Sequence, residues 1–166
     1  FFIICIFVLI RCYRKVPQGK ALIRTGMGGA IVVFDKGKCV FPIVHRTEIM
    51  DISVKRIEID RKGTTGLICK DNMRADIKVV FFVRVNKTQQ DVLSVAQMIG
   101  TDRASDQEAL VELFDAKFSE ALKTVGKNFN FEELYTKRQE FKDQIIETIG
   151  TDLNGYNLED AAIDDL

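Results

Sequence analysis

The chain has 166 residues, 46% hydrophobic and 29% charged, with 24 basic side chains against 24 acidic ones. That length allows one compact domain or two small ones, the composition excludes a disordered chain, and the charge balance argues against a general nucleic-acid binder. Four cysteines (Cys5, Cys12, Cys39, Cys69), none in a CxxC pair and all in apolar settings, read as reduced, packed thiols in a cytosolic setting, not as a disulfide frame or metal site.

The run Phe1, Phe2, Ile3, Ile4, Cys5, Ile6, Phe7, Val8, Leu9, Ile10 is wholly apolar and stops at basic residues. Ten helical residues reach only ~15 Å, about half of a bilayer core. The positive charge follows the apolar run, so a signal peptide is excluded. The economical reading is the C-terminal part of a membrane-inserted helix over 1–15, with Arg11, Tyr13, Arg14 and Lys15 at the cytoplasmic interface. A buried core segment and a hairpin re-entering the same leaflet stay open at this point. Cys12 stands where a juxtamembrane cysteine could be acylated, although an unmodified thiol is the simpler reading.

Val16-Pro-Gln-Gly19 breaks any helix and begins a β-rich region. Strands are predicted over Ala21–Thr25, Ala30–Phe34 and Lys38–Val44. Gly26, Gly28 and Gly29 read as a turn, since no Gly-Lys-Ser/Thr follows to make a phosphate loop. Asp35-Lys-Gly37 joins the second and third strands, and Pro42 confines the third to an edge or bulge. Core packing is the plain reading of Val40, Phe41 and Ile43, with contact at a membrane surface as the functional alternative. Glu48 to Asp60 reads as one long strand whose apolar phase shifts across Lys55-Arg56, as at a bulge.

The most informative stretch runs from Cys69 to Val85. Ala75, Ile77, Val79, Phe81, Val83 and Val85 alternate in strict period two, so one face of a strand belongs on a core. The other face carries Asp76, Lys78 and Arg84, but also Val80 and Phe82. These two point to a second cover, from a helix or from a subunit interface. Asp71-Asn72 marks a hairpin turn from Thr65–Cys69 into this strand, which is expected to be the longest and most buried in the chain.

After Asn86 the period becomes 3.6. Thr88 and Asp91 open a helix stopped by Gly100. Ser105 and Glu108 open a second, ending at Gly126, and Asn130 and Glu133 open a third, running to about Asn154. Gly155–Leu166 reads as a closing strand. The order is α+β, strands first.

Charge is polarised along the chain. Arg11, Arg14, Lys15, Lys20 and Arg24 open it without an acid, and after Lys142 only Asp143, Glu147, Asp152, Glu159, Asp160, Asp164 and Asp165 remain. This can orient a chain at a membrane or order neighbouring subunits, for instance through Lys55, Arg56 and Arg61 meeting a neighbour's acidic tail. A solvated acidic face explains the tail equally well.

No catalytic constellation emerges. His45 is the single histidine, Ser53, Ser94, Ser105 and Ser119 lack a nucleophile-elbow setting, and the pairs Glu132-Glu133, Glu159-Asp160 and Asp164-Asp165 diverge as neighbours must. Catalytic, cofactor and metal residues are therefore expected to be none.

Taken in order, these segments resemble the SPFH domain family: stomatin, prohibitin, flotillin and HflK/C proteins, also called band 7. A membrane segment ending in bases leads to Pro17-x-Gly19, then Arg24-x-Gly26 with Gly28-Gly29. Phe41-Pro-Ile-Val-His45 resembles the family's Pro-Ile-x-His segment, and Lys70-Asp71-x-Met73 leads into the strand that carries Phe82. Asn130-x-x-Glu133-Leu134 with Arg138 and Phe141, then Gly155-x-x-Leu158, are similar to the last helix and strand. Bacterial flotillin-like membrane proteins look most similar. The resemblance implies a β-rich first subdomain on the membrane (16–86), an α/β second subdomain (87–166) and a coiled coil beyond Leu166. It implies a non-enzymatic, homo-oligomeric ring or cage that encloses a membrane microdomain, at a bacterial inner membrane with the domain on the cytoplasmic side. Its partners would be lipids, further copies of itself and an NfeD-type membrane protein. The competing expectation is a monomeric membrane-tethered regulatory or ligand-binding module.

Overall fold

A computed structural model describes the chain apart from residues 35, 42, 151, 152 and 154 and the side chain of residue 165. Expectations resting on Asp35, Pro42, Asp152, Asn154 and the Asp165 carboxylate lie outside the described residues. The fold is mixed α and β, and the chain divides into two compact units, Phe1–Ser53 with Val85–Ser105, and Val54–Arg84 with Asp106–Leu166. The change of period at Asn86 therefore marks a change from strand to helix, while both units contain each.

In the first unit, helix α1 (Phe2–Cys12) is followed by β1 (Tyr13–Lys15), β2 (Lys20–Gly26), β3 (Ile31–Phe34), β4 (Gly37–Cys39) and β5 (His45–Asp51). The central strand β2 pairs antiparallel with both β3 and β5, and β1 pairs with β4. The predicted helix over 1–15 thus ends at Cys12, because Tyr13–Lys15 enter a strand ladder. The predicted strand Lys38–Val44 is only three residues long, and Ile43 and Val44 form a turn. Val16, Leu22 and Val40 make a small core with Val33 against it. Helix α2 (Gln89–Met98) begins at Thr88, whose hydroxyl accepts from the Asp91 N–H, and packs on β3. A short α3 (Thr101–Ser105) packs on β5.

Ser105 does not open the following helix. Its Oγ accepts from the Asp51 N–H at 3.0 Å and donates to the Thr101 carbonyl at 2.8 Å. Asp106 takes the capping role instead, accepting from the Glu108 N–H at 3.1 Å.

The second unit holds β6 (Lys55–Arg61), β7 (Leu67–Ile68), β8 (Arg74–Ala75), β9 (Ile77–Val85, its last residue counted with the first unit), α4 (Gln107–Gly126), α5 (Phe131–Thr136), α6 (Arg138–Ile149) and β10 (Tyr156–Asp165). What reads as one faulted strand over 48–60 is two strands in two sheets. Their opposite apolar phases reflect two separate sheets, not a bulge. The hairpin around Asp71-Asn72 is likewise only β7 with β8, whereas β9 pairs with β6 and with β10. β10, at 10 residues, exceeds β9, at 9.

Ala75, Ile77, Val79, Phe81, Val83 and Val85 are all buried, as their period-two spacing requires. Ile57 and Ile59 of β6 stand opposite Phe81 and Val79 and are buried with them. Phe118 of α4 meets Phe81 with ring centroids 4.5 Å apart, and Phe114 meets the edge of Tyr156 at 5.2 Å. The capping box at Asn130 and Glu133 forms, but Lys137 leaves helical geometry (φ −109°, ψ 41°) and splits the expected third helix into α5 and α6. Cys69 is buried between these elements, and its thiol is pushed up first by burial and then by the Asp71 carboxylate.

The acidic tail is paired within the chain. Glu159 meets Arg84 at 2.6 Å, Asp160 meets Lys142 at 3.0 Å, and Asp164 meets Lys78 at 3.3 Å. Arg56 pairs with Glu58 and Arg61 with Asp115 within the chain.

The Lys142 ammonium, and then the Ala161 N–H, hold the Asp160 carboxyl below its ordinary 3.8. Bonding to Glu58, and then to Asp164, raises the Lys78 ammonium above its ordinary 10.5. The depressed Asp160 contributes stability above its unfolded value, and this is lost as pH falls through the folded value. The raised Lys78 contributes below its unfolded value, and this is lost as pH rises through the folded one. Urea midpoints measured against pH should therefore fall on the acid side below about 4. That acid limb should be shallower in Asp160→Asn, and an unaltered limb in the variant would refute the assignment.

Candidate membrane-facing surface

Helix α1 has no polar face. Phe2, Ile3, Ile4, Ile6, Phe7, Val8, Leu9 and Ile10, with Phe1 before them, are exposed around the whole helix, and only Cys12 is buried. A helix that packed on its own chain would hide one stripe and offer a polar one to water. No helix among the described residues is long and apolar enough to cross a membrane. Eleven residues reach ~16 Å, about one leaflet's share of a ~30 Å core.

The helix is moored at its C-terminal end. The Val40 N–H donates to the Cys12 carbonyl at 2.8 Å, and the Val16 N–H donates to the Lys36 carbonyl at 3.2 Å. Tyr13, Arg14 and Lys15 stand opposite Cys39, Lys38 and Gly37, and all three are exposed. The bases expected at a helix end are thus displayed from a strand, directly after Arg11.

Val40 itself is 6% exposed and belongs to the small core, so it is not a surface contact. Phe41, Ile43 and Val44, which follow it, are exposed, Ile43 at 99%. Their turn is closed by Phe41. Its carbonyl accepts from the Val44 N–H at 3.1 Å and the His45 N–H at 2.9 Å, while its own N–H donates to His45 Nδ1 at 3.3 Å. The single histidine therefore orders a loop, with Nδ1 acting as an acceptor.

Gly26 stands opposite His45 at the same end of the sheet, and Met27 beyond it is exposed. Met27 and Val44 thus join Phe41 and Ile43 at one apolar tip. Neither stands out in the sequence, where Met27 reads only as filler in a glycine turn. The β2–β5 register is what brings the two turns together.

The second candidate face is less open. Val80 is 3% exposed and already buried within the chain, so it is not available as a subunit contact; Phe82 is half-buried beside Arg56 in the β6–β9 ladder. Among the candidate catalytic groups, Ser53 donates to Asp51 at 2.6 Å and Ser119 is bonded by Arg61. Glu133 caps α5. Each has a structural partner, and no metal-holding cluster of His, Cys, Asp or Glu occurs among the described residues.

A family model described as the SPFH domain / Band 7 family matches residues 14–166. The chain belongs to this family. Among curated proteins it is similar to the flotillin family inner membrane protein YqiK of Escherichia coli, with 34% identity over 96% of this chain and 30% of that protein. It is also similar to the flotillin family inner membrane protein sll1021 of Synechocystis sp., with 26% identity over 99% of this chain and 25% of that protein. The chain thus spans less than a third of either relative. The SPFH match begins at Arg14, so α1 precedes it and the apolar tip lies inside it.

The tip depends on close backbone approach at Gly26. Its φ is +138°, and a Cβ there would sit 2.3 Å from the Val44 carbonyl oxygen. At Gly37 an added Cβ would meet only the outer atoms of the Tyr13 ring, at 2.2 Å, and that half-exposed ring can swing away. Gly26→Ala should cost about 1–3 kcal/mol and move the Phe41–Val44 turn, whereas Gly37→Ala should cost less than about 1 kcal/mol. Chemical denaturation with amide chemical shifts for residues 41–45 checks both; equal costs would contradict the packing described.

Proposed function

We propose that this SPFH domain seats a homo-oligomeric scaffold on a membrane, where many copies close into a ring or cage around a membrane microdomain and organise its lipids or membrane proteins. The observation that carries the reading is the common origin of two apolar features. Helix α1, exposed up to Arg11, and the exposed Phe41, Ile43 and Val44 leave from Cys12 and Val40, which are hydrogen-bonded to each other. Water is a poor solvent for that much contiguous apolar surface, and a bilayer interface is a good one.

In this reading Phe1 to Ile10 lie among acyl chains, as part of a membrane-inserted segment. Phe41, Ile43, Met27 and Val44 dip into the interface. Arg11, Arg14 and Lys15, with Tyr13, meet anionic head groups at ~1 kcal/mol per base. Bases after an apolar segment favour the cytoplasmic side, and the relatives' description as inner membrane proteins supports the same membrane. Half-buried Phe82 remains a candidate contact between copies, a coiled coil beyond Leu166 would strengthen assembly, and an NfeD-type membrane protein is the partner that the family resemblance suggests. The proposal contains no catalytic step.

A monomeric tethered module is the competing reading, and particle mass separates the two. Mass photometry of the full-length protein, gently extracted, should show particles of many subunits; a monodisperse monomer would remove the scaffold. For the seating surface, F41S/I43D should weaken binding of the full-length protein to anionic vesicles by about tenfold or more, since two buried apolar side chains are worth ~1.5–3 kcal/mol each. Undiminished vesicle binding would take the tip off the membrane.

A further inference from the structure

The second unit contains a cleft of ≈ 400 Å³ lined by Arg61, Thr64, Thr65, Ile68, Lys123 and Lys127. Arg61 comes from the end of β6, the threonines from the turn after it, Lys123 from the last turn of α4 and Lys127 from its C-cap. The volume is within the range of small-molecule sites, ~300–1,000 Å³.

What sets this cleft apart is that three cations line it together. Arg84, Lys142 and Lys78 each hold a carboxylate of β10, and Arg56, Lys62 and Lys137 hold Glu58, Asp60 and Glu133. Arg61 is matched by Asp115 at 3.4 Å and bonded to Ser119. Lys123 and Lys127 hold no carboxylate among the described residues, as Lys70 and Lys117 do not, but Lys123 and Lys127 share a cleft with Arg61. They stand four residues apart on one helix face, where like charges repel. The C-terminal end of α4 offsets part of that repulsion, since cations are favoured there. A third cation on the opposite wall is more than a helix end requires. With Arg61 neutralised by Asp115, the cleft keeps two unmatched positive charges.

We propose that this cleft binds a phosphate monoester with a small organic body. The dianion matches the two unmatched charges, because a phosphate monoester carries about −1.5 to −2 at pH 7. Lysines bind phosphate as mobile point charges. The Thr64 hydroxyl, which has no partner among the described residues, can donate a further bond. Exposed Ile68 supplies an apolar wall for the carbon skeleton. The same chemistry belongs to a soluble phosphate ester and to a phosphomonoester lipid head group.

The test titrates glycerol 3-phosphate into the full-length protein by calorimetry. It then compares vesicles of phosphatidylcholine with and without phosphatidic acid. K123Q/K127Q removes the site, and K70Q/K117Q removes the same charge from exposed lysines elsewhere in the unit. Saturable binding of glycerol 3-phosphate is expected, weakened about tenfold or more in K123Q/K127Q and unchanged in K70Q/K117Q, as loss of charge-assisted bonds requires. A gain on phosphatidic acid that vanishes in K123Q/K127Q assigns the head group. Soluble binding without that gain assigns the free ester, and both support the site. Absence of saturable binding to either probe, or equal weakening in the two double variants, would overturn it.

Discussion

One face of β9 constrains everything in the second unit. Ile77, Val79, Phe81 and Val83 have no place in water, and no local segment can cover them. The cover comes from β6, which brings Ile57 and Ile59 alongside, and from α4, whose Phe118 closes on Phe81. Because α4 lies far along the chain, its phase matters. Asp106 fixes where the helix starts and therefore which of its faces meets the strands. β10 then joins the free edge of β9 with Tyr156 against Phe114. A buried aromatic side chain is worth ~1.5–3 kcal/mol, whereas an exposed ion pair is worth ~0–1 kcal/mol. Apolar packing holds β10 in place, and its three ion pairs select which carboxylate meets which base.

The first unit works on a different balance. One small cluster, Val16, Leu22 and Val40, lies where α1 joins the sheet, and Ala21, Ile23, Met50, Val92 and Val95 are buried besides. Much of its apolar surface is outside, on α1 and at the Met27 and Phe41–Val44 tip. The exposed part of this apolar surface gains nothing in water and would gain by transfer to a lipid interface. In the proposed reading these same residues are the ones that seat the unit on lipid. The paired carboxylates of β10 and the unpaired Lys123 and Lys127 show a parallel separation in the second unit. There, the carboxylates of β10 are matched, and in the cleft Arg61 is matched while Lys123 and Lys127 are not.

Local signals were legible where the physics is local. Period two in β9, the caps at Thr88 and Asn130, the stops at Gly100 and Gly126 and the apolar run before Arg11 all depend on neighbours within a few residues. The ordered motifs also carried the SPFH family, which the match over residues 14–166 bears out. Segments failed where the competitor was distant. Ser105 has the composition of a cap, but the Asp51 N–H claims it across 54 residues. Core packing is the plain reading of Val40, Phe41 and Ile43 alike, yet only Val40 is drawn inward, by Cys12 and Leu22, while Phe41 and Ile43 stay exposed.

The residues alone determined the period-two face of β9, the helix caps at Thr88 and Asn130, and that the N-terminal run is wholly apolar, because these follow from spacing and composition. Tertiary structure alone decided that 48–60 serves two sheets, that the acidic tail is paired at home, that Met27 shares a tip with Ile43, and that Arg61, Lys123 and Lys127 line one cleft. Those outcomes depend on which distant segment wins a shared edge or a shared partner, and no sequence window contains both contestants.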